Sequence, residues 1–298
     1  MSTANGQILR VPKPPKRVVS LVPSMTESLF DLGLGDSLVG ITDYCVHPAQ
    51  KVAGLPRVGG TKNPRLEEIR ALDPDLVIAN KEENTPETIR GLEAAGLTTW
   101  VTFPQTVRQA LETLNTLIGF YGSQSAFMIL KSLEQAVDWA EAAGGGARVR
   151  YFCPIWYAQT SAGQPWWMAF NRETYSHDLL ALFGGENVFA ARERRYPLEA
   201  DIGGAQPVPA GERDTRYPRV PLEEVRAAAP ELILLPTEPF EFTQQHADEI
   251  ARLLPDCPAV RAGRVHLVDG SLITWHGTRI ARALRRLPEL FAGETRGQ

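Results

Sequence analysis

Leu66-Glu67-Glu68-Ile69-Arg70-Ala71-Leu72-Asp73-Pro74-Asp75-Leu76-Val77-Ile78 returns later in the chain as Leu222-Glu223-Glu224-Val225-Arg226-Ala227-Ala228-Ala229-Pro230-Glu231-Leu232-Ile233-Leu234, with seven of the thirteen positions identical. In each copy an amphipathic turn or two runs into a proline and then into an apolar stretch, the pattern of a helix that feeds a strand. A second phrase, Leu29-Phe30-Asp31-Leu32-Gly33-Leu34-Gly35-Asp36-Ser37-Leu38-Val39, is echoed by Leu179-Leu180-Ala181-Leu182-Phe183-Gly184-Gly185-Glu186-Asn187-Val188-Phe189. An offset of roughly 150 residues is too long for a solenoid, so the chain reads as a duplicated domain, two related lobes. Two similar lobes facing each other leave a cleft, and clefts at domain interfaces are where small molecules bind.

Composition bounds the partners. The 298 residues suffice for two domains with a core each. A hydrophobic share of 43% with 22% charged residues is that of a soluble globular chain. A net charge of -4 argues against a general nucleic-acid surface. No stretch is apolar for long enough to suggest a membrane span. Cys45, Cys153 and Cys257 are odd in number and lack CxxC spacing, so neither a disulfide framework nor a zinc ribbon is suggested. Residues Met1 to Lys16 show neither an apolar h-region nor a small-residue cleavage site. As it stands the sequence reads without an export signal, and a chain that starts at Met1 would then be cytoplasmic; a start placed elsewhere is the alternative, and the sequence alone does not separate the two.

Outward from the repeated phrase, strands and helices alternate. Arg17 to Val22 reads as a strand with Pro23-Ser24 as its exit loop and a helical pattern through Leu32. Leu38 to Thr42 is the next strand, leaving through Asp43 to Pro48. Asn63 is expected to cap a helix with Pro64 at its first position, and Leu76 to Ala79 forms a strand that exits through Asn80 to Thr85 before a helix over Pro86 to Ala95. Such alternation implies parallel sheets covered on both faces. Ser123 to Ala143 carries apolar residues at helical spacing and ends at Gly144-Gly145-Gly146, predicting one long helix between the two copies. The second copy opens with a strand at Arg148 to Cys153. The expectation is therefore an α/β fold with a lobe over 17–121, a linking helix over 122–147 and a second lobe over 148–296. Within that second lobe, 192–219 reads as an extra surface loop rich in Pro, Gly and charge.

Arg17-Val-Val-Ser-Leu-Val-Pro-Ser-Met-Thr-Glu27, the Tyr44 to Pro48 loop, Val58-Gly-Gly-Thr-Lys-Asn-Pro64 and both Leu-Glu-Glu phrases occur here in one order around a central helix. In this the chain resembles the helical-backbone substrate-binding proteins of ABC importers, which handle cobalamin and ferric siderophores, and most of all the cobalamin-binding group. The resemblance runs from about Arg17 to Leu290. It implies two Rossmann-like lobes bridged by a rigid helix, a metal chelate as ligand with no intrinsic cofactor, a monomer working with an ABC permease dimer, and an extracytoplasmic location. The last point stands against the missing signal. The alternatives are a cytoplasmic binder or sensor that keeps the fold, or a receptor for a free metal ion.

Ligands of open parallel sheets lie outside the carboxyl ends of the strands. That selects Ser24, Tyr44, Gly59, Gly60, Asn80 and Glu82 in the first lobe. In the second it selects Trp156, Tyr157, Trp167, Trp275 and His276, on loops unusually rich in aromatic residues. Aromatic side chains give a large planar ligand contact area at little entropic cost. Trp166 and Trp167, being adjacent, cannot both face one way on a strand, so core packing and ligand contact stand as alternatives there. The side chains point to a bulky, largely uncharged chelate before a free divalent cation; they do not choose between corrinoid and siderophore, and the resemblance puts cobalamin first. The five histidines form no HxH, HxxxH or HExxH pair, so no metal site is assigned, although His47, His276 and a carboxylate would make one if the lobes brought them together. No GxSxG elbow, P-loop or zincin motif occurs, Glu82-Glu83 is a pair of solvated loop charges, and no catalytic residue is assigned. Glu67 and Glu223 lie in the first turns of equivalent helices, where the helix dipole alone favours a carboxylate. The resemblance adds a second role, since its members carry a glutamate there in each lobe that pairs with permease arginines.

Overall fold

The computed structural model describes residues 11, 14–144 and 148–292. They gather into two compact units. The first holds the chain through Ala136 together with Trp275–Ala281, and the second holds Val137–Thr274 with the residues after Ala281. This division differs from the expected one: the boundary falls inside the long helix, and a seven-residue segment from near the carboxyl end packs with the first unit.

The sheet of the first unit has four parallel strands, β1 (Val18–Ser20), β2 (Leu38–Ile41), β3 (Leu76–Asn80) and β4 (Thr99–Thr102), in the order β2-β1-β3-β4. Every residue of β1 and β3 is buried, as strands covered on both faces require. Val19, Leu21, Val58, Ile69, Val77 and Leu92 form one core cluster. Thr85 caps the helix Pro86–Ala94 by accepting from Thr88 N at 3.1 Å, and Pro86 opens it. The helix Val107–Tyr121 stops at Gly122, whose φ of 64° is the left-handed conformation glycine adopts without strain. The next helix, Gln124–Ala143, runs for 20 residues, about 30 Å at 1.5 Å per residue, as the periodicity predicts. Gly145 and Gly146 of its expected stop lie outside the described residues. No helix among the described residues is long and apolar enough to cross a membrane.

The second unit repeats the plan. Strands β5 (Val149–Phe152), β8 (Gly185–Asn187), β10 (Leu232–Pro236) and β11 (Val265–Val268) are parallel in the order β11-β10-β5-β8. Read from the strand that begins within the second repeated phrase, β2 in one copy and β8 in the other, the two orders are the same. The copies share a further device. Arg17 donates from Nη2 to the carbonyl of Leu72 and from Nε to that of Asp73, and Arg150 donates from Nη2 to the carbonyl of Ala228 and from Nη1 to that of Ala229. Asp75 accepts from the backbone N–H of Lys16 and Arg17, and Glu231 from that of Arg150. Each copy thus ties the carbonyls that end its helix to the start of its first strand, which satisfies groups a helix end leaves open.

Four features depart from the sequence expectation. Pro23 and Ser24 are not an exit loop but the first turn of the helix Pro23–Asp31. The helix expected at Asn63-Pro64 begins only at Leu66, because Pro64 bridges to Gly59 and Arg65 N donates to Val58 O, holding the chain extended. Trp156-Tyr157 and Trp166-Trp167 lie on strands and not loops: β6 (Trp156–Gln159), β7 (Pro165–Met168) and β9 (Arg219–Pro221) make an antiparallel sheet in the order β6-β7-β9, without a counterpart among the described residues of the first unit. Finally, 192–219 is more than a surface loop. The carboxylate of Asp201 at the end of a short helix Leu198–Asp201 is fully buried. It accepts from Arg192 Nη1 at 3.0 Å, Arg195 N at 2.9 Å and Arg219 Nε at 2.8 Å, which anchors the segment from below.

Candidate functional site

In the first unit the carboxyl ends of the parallel strands carry four loops. Tyr44, after β2, is 62% exposed, the largest apolar side chain the loop offers to solvent. Its loop is held by Arg57, whose Nη1 donates to the carbonyls of Thr42 at 2.8 Å and Cys45 at 3.0 Å. Cys45 is buried beneath, taking a hydrogen bond from Thr26 Oγ1, and burial pushes its thiol up and keeps it inert. Gly59 has a φ of 94°, and a Cβ on Gly60 would come 2.5 Å from Asn63 Oδ1 and 3.6 Å from the Tyr44 ring, so both glycines are set by this close turn. Glu82 is exposed after β3 and its carbonyl accepts from Lys62 Nζ.

Asn80 and His276 were read as ligand-facing, and the structure sets them side by side in the interior. Asn80 Nδ2 lies 3.4 Å from His276 Nε2 and donates to Thr102 Oγ1 at 3.1 Å, while its Oδ1 accepts from Glu82 N at 2.7 Å. Burial pushes His276 down to about 4, so the ring is neutral at pH 7. Ser24 is buried as well, its carbonyl taking the Ser28 hydroxyl at 2.7 Å. Trp275 follows the short helix Ser271–Thr274 and not the end of β11 directly. It is 8% exposed, with the His47 ring edge-on at 5.8 Å and the Arg279 guanidinium 4.9 Å above it. These residues build the floor under the loops.

Sequence reasoning missed the exit of β4. Phe103, Gln105 and Gln109 line an open depression of about 420 Å³ with Trp100 and Thr102, and Lys81 Nζ stands 5.6 Å from the Phe103 ring. The phrase Thr102-Phe103-Pro104 after an apolar run was the available signal.

In the second unit Trp156 stands just beyond β5 and is 44% exposed, with Phe240 edge-on at 5.4 Å. Phe240 lies in the exit of β10, so two aromatic residues from two strand ends form one ledge. Phe240 escaped the sequence reading although it follows an apolar run in the same way as Trp275. Tyr157 faces the other way: its hydroxyl donates to Glu249 Oε1 at 2.9 Å, and its ring meets Trp167, Phe240 and His246. Burial, then Glu249, holds the Tyr157 phenol above its ordinary range. Trp167 is 1% exposed and packs edge-on against Phe152, so of its two readings the core is the one the fold adopts.

Glu67 and Glu223 are exposed on equivalent helices and engage Arg70 and Arg226 three residues on. Such surface pairs are worth at most about 1 kcal/mol, so either carboxylate is free to exchange partners. Among the described residues no three His, Cys, Asp or Glu side chains converge as metal ligands.

Residues 18–272 match the model of the periplasmic binding protein family. A vitamin B12-binding protein of Vibrio cholerae is 26% identical over 245 residues, 80% of this chain and 74% of the relative. The crystal structure of the periplasmic vitamin B12 binding protein of Vibrio cholerae superposes with a TM-score of 0.74 at 21% identity, covering 94% of this chain and 97% of the other. A periplasmic heme-binding protein from Roseiflexus, in its apo form, gives 0.72 at 22% identity, covering 93% and 97%. At these identities the structural likeness bears on the fold.

Proposed function

The chain belongs to the periplasmic binding protein family, and from that premise we propose that it captures a metal chelate, cobalamin first and heme or a ferric siderophore next, for delivery to an ABC importer. The chelate is cargo and brings its own metal shell, so the protein needs a grip on the periphery and no catalytic group of its own. The observation that carries this reading is the aromatic ledge of Trp156 and Phe240 at the carboxyl ends of the second unit's strands. Tyr44 supports it as an exposed ring on the corresponding end of the first unit's sheet.

Titration with cyanocobalamin, hemin and ferric hydroxamates, followed by tryptophan fluorescence and calorimetry, tests the proposal. Micromolar or tighter binding of one chelate is expected, with Trp156→Ala weakening it tenfold or more. Tight binding of free zinc with no response to any chelate would overturn it.

We further infer that Glu67 and Glu223 meet arginines on the two subunits of the permease, that the protein acts as a monomer, and that it works outside the cytoplasm. The exposure of both carboxylates and their equivalent places in the two copies support the docking role. Rim charges of this kind steer and orient encounter more than they add affinity. Glu67→Ala with Glu223→Ala is expected to leave chelate affinity unchanged and to weaken docking to the cognate permease in a pull-down from membranes. A double variant that docks normally but loses ligand would reverse the assignment.

A further inference from the structure

The antiparallel sheet of the second unit has an inner and an outer face, and strand register decides which residue lies on which. Tyr157, Trp167 and Val220 are cross-strand partners, and all three belong to or pack against the buried core of the unit. Their neighbours Trp156, Met168 and Arg219 are likewise cross-strand partners and therefore share the opposite face, in one row. Two strand spacings, about 10 Å, separate the first of them from the last. The row begins at the exposed Trp156, passes over the half-buried Met168 and ends at Arg219, whose guanidinium lies 5.6 Å from the ring of Tyr196.

At that end arginines gather. The segment 192–219 carries six arginines and five carboxylates, and Glu224 beyond it supplies a sixth carboxylate, 3.0 Å from Arg192 Nε. Asp201 is saturated by Arg192, Arg219 and the N–H of Arg195, and Asp214 accepts from Arg216 through its Nε at 2.9 Å and its Nη2 at 2.6 Å. Arg213 is spent on the carbonyls of Pro209 and Ala210. Arg194 is left. Its guanidinium stacks 4.9 Å from the Tyr196 ring, with Arg213 4.1 Å from the same ring, and its Nε is shielded from solvent with no protein acceptor within reach. A buried donor without a partner costs about 1–3 kcal/mol, more when charged, so the arrangement favours an oxyanion brought by a ligand. Burial and the nearby Arg219 also hold Arg194 below its ordinary range, a penalty that such a partner would relieve.

We propose that Arg194, backed by Tyr196, is an oxyanion seat at the end of the Trp156–Met168 face, and that it takes a carboxylate or phosphate on the periphery of a planar chelate. The inference rests on the chelate reading above and narrows it: the apolar face of the ligand lies on the ledge, and its anionic edge reaches the inserted segment. It also gives a role to the segment 192–219, which has no counterpart among the described residues of the first unit.

The experiment uses the full chain, Arg194→Gln and Arg194→Lys, with thermal melts to verify folding. Pyrophosphate and citrate are titrated first as simple oxyanions, at low and at physiological salt. Hemin is then compared with its dimethyl ester, and cobalamin with cobinamide, which lacks the phosphate, so that a carboxylate source and a phosphate source are told apart. The expected result is salt-sensitive oxyanion binding by the parent chain that falls at least tenfold in Arg194→Gln and recovers in part in Arg194→Lys. The same substitution should weaken whichever acidic chelate binds while sparing its ester or phosphate-free form. Equal losses for acid and ester, or an Arg194→Gln chain that binds oxyanions and chelates as the parent does, would overturn the seat. Oxyanion binding that needs Arg194, with no chelate bound by any variant, would instead keep the seat and remove the chelate reading. No binding of either kind by the parent chain removes both.

Discussion

At the scale of single residues, His276 has a consequence for stability. Burial pushes its imidazole from an ordinary 6.5 to about 4, so the folded chain takes up this proton less readily than the unfolded one. As pH falls from 6.5 toward 4, the unfolded state binds the proton and the folded state does not, and stability declines across that window. A displacement of this size corresponds to about 3 kcal/mol at its limit. His276→Gln is expected to be less stable at pH 7.5, where the contact with Asn80 is disturbed, yet to lose about 2 kcal/mol less than the parent between pH 7.5 and pH 4.5 in urea unfolding. Identical losses in both chains would show that the imidazole titrates normally. Neither His276 nor Asn80 announces this role in sequence. Both stand near strand ends and read as ligand contacts, whereas their partnership joins residues 196 positions apart, which no local pattern encodes.

Among the elements, the repeated phrase was the most legible part of the chain because helix, proline and strand each leave a local signature. Its turn carries a detail that only coordinates show. Asp73 and Ala229 hold the same place in the two copies, and both have a φ of 44°. Aspartate tolerates the left-handed region better than alanine does. Ala229→Gly removes a clash of roughly 1–2 kcal/mol and adds roughly 0.5–1 kcal/mol of chain entropy to be lost on folding. A net gain of about 0.5–1 kcal/mol in urea unfolding is expected, with a smaller one for Asp73→Gly. A loss at position 229 would mean that the Cβ is favourably packed. The hairpin β6–β7 was legible too but went unread. Two short aromatic runs flank Thr160 to Gln164 with a glycine at 163, which is a hairpin signal. The side-by-side tryptophans disguised it, because Trp166 on the outer face is buried as well as Trp167 on the inner one, so alternation of burial fails along β7.

For the whole molecule, the duplication explains why each copy has the same strand order. The first unit is not closed by its own stretch of chain. Trp275–Ala281 completes it, and the contacts are specific: Thr278 N donates to Ser28 Oγ at 3.1 Å, Thr278 Oγ1 to Asp31 Oδ2 at 2.7 Å, and Arg279 Nε lies 2.8 Å from Glu27 Oε2. Gly277, with a φ of 86°, permits the approach, since a Cβ there would collide with Ser28 Oγ. The segment lies some 250 residues from its partners, so sequence reading assigned it to the lobe in which it is written. Glu27 and Arg279 are 1% and 3% exposed, and an ion pair so deeply buried is costly to break from one side. Arg279→Met is therefore expected to destabilise the protein by about 3–5 kcal/mol by taking the facing cation from the buried Glu27 carboxylate, and Glu27→Met with Arg279→Met together should recover much of the loss. Hydrogen exchange followed by mass spectrometry locates the effect. Because the segment seals the first unit against the helix Pro23–Asp31, Arg279→Met should lower protection in that helix, about 250 residues away in sequence, as well as at the substituted segment. Loss confined to 275–281, with Pro23–Asp31 protected as before, would mean that the first unit stands without its distant seal.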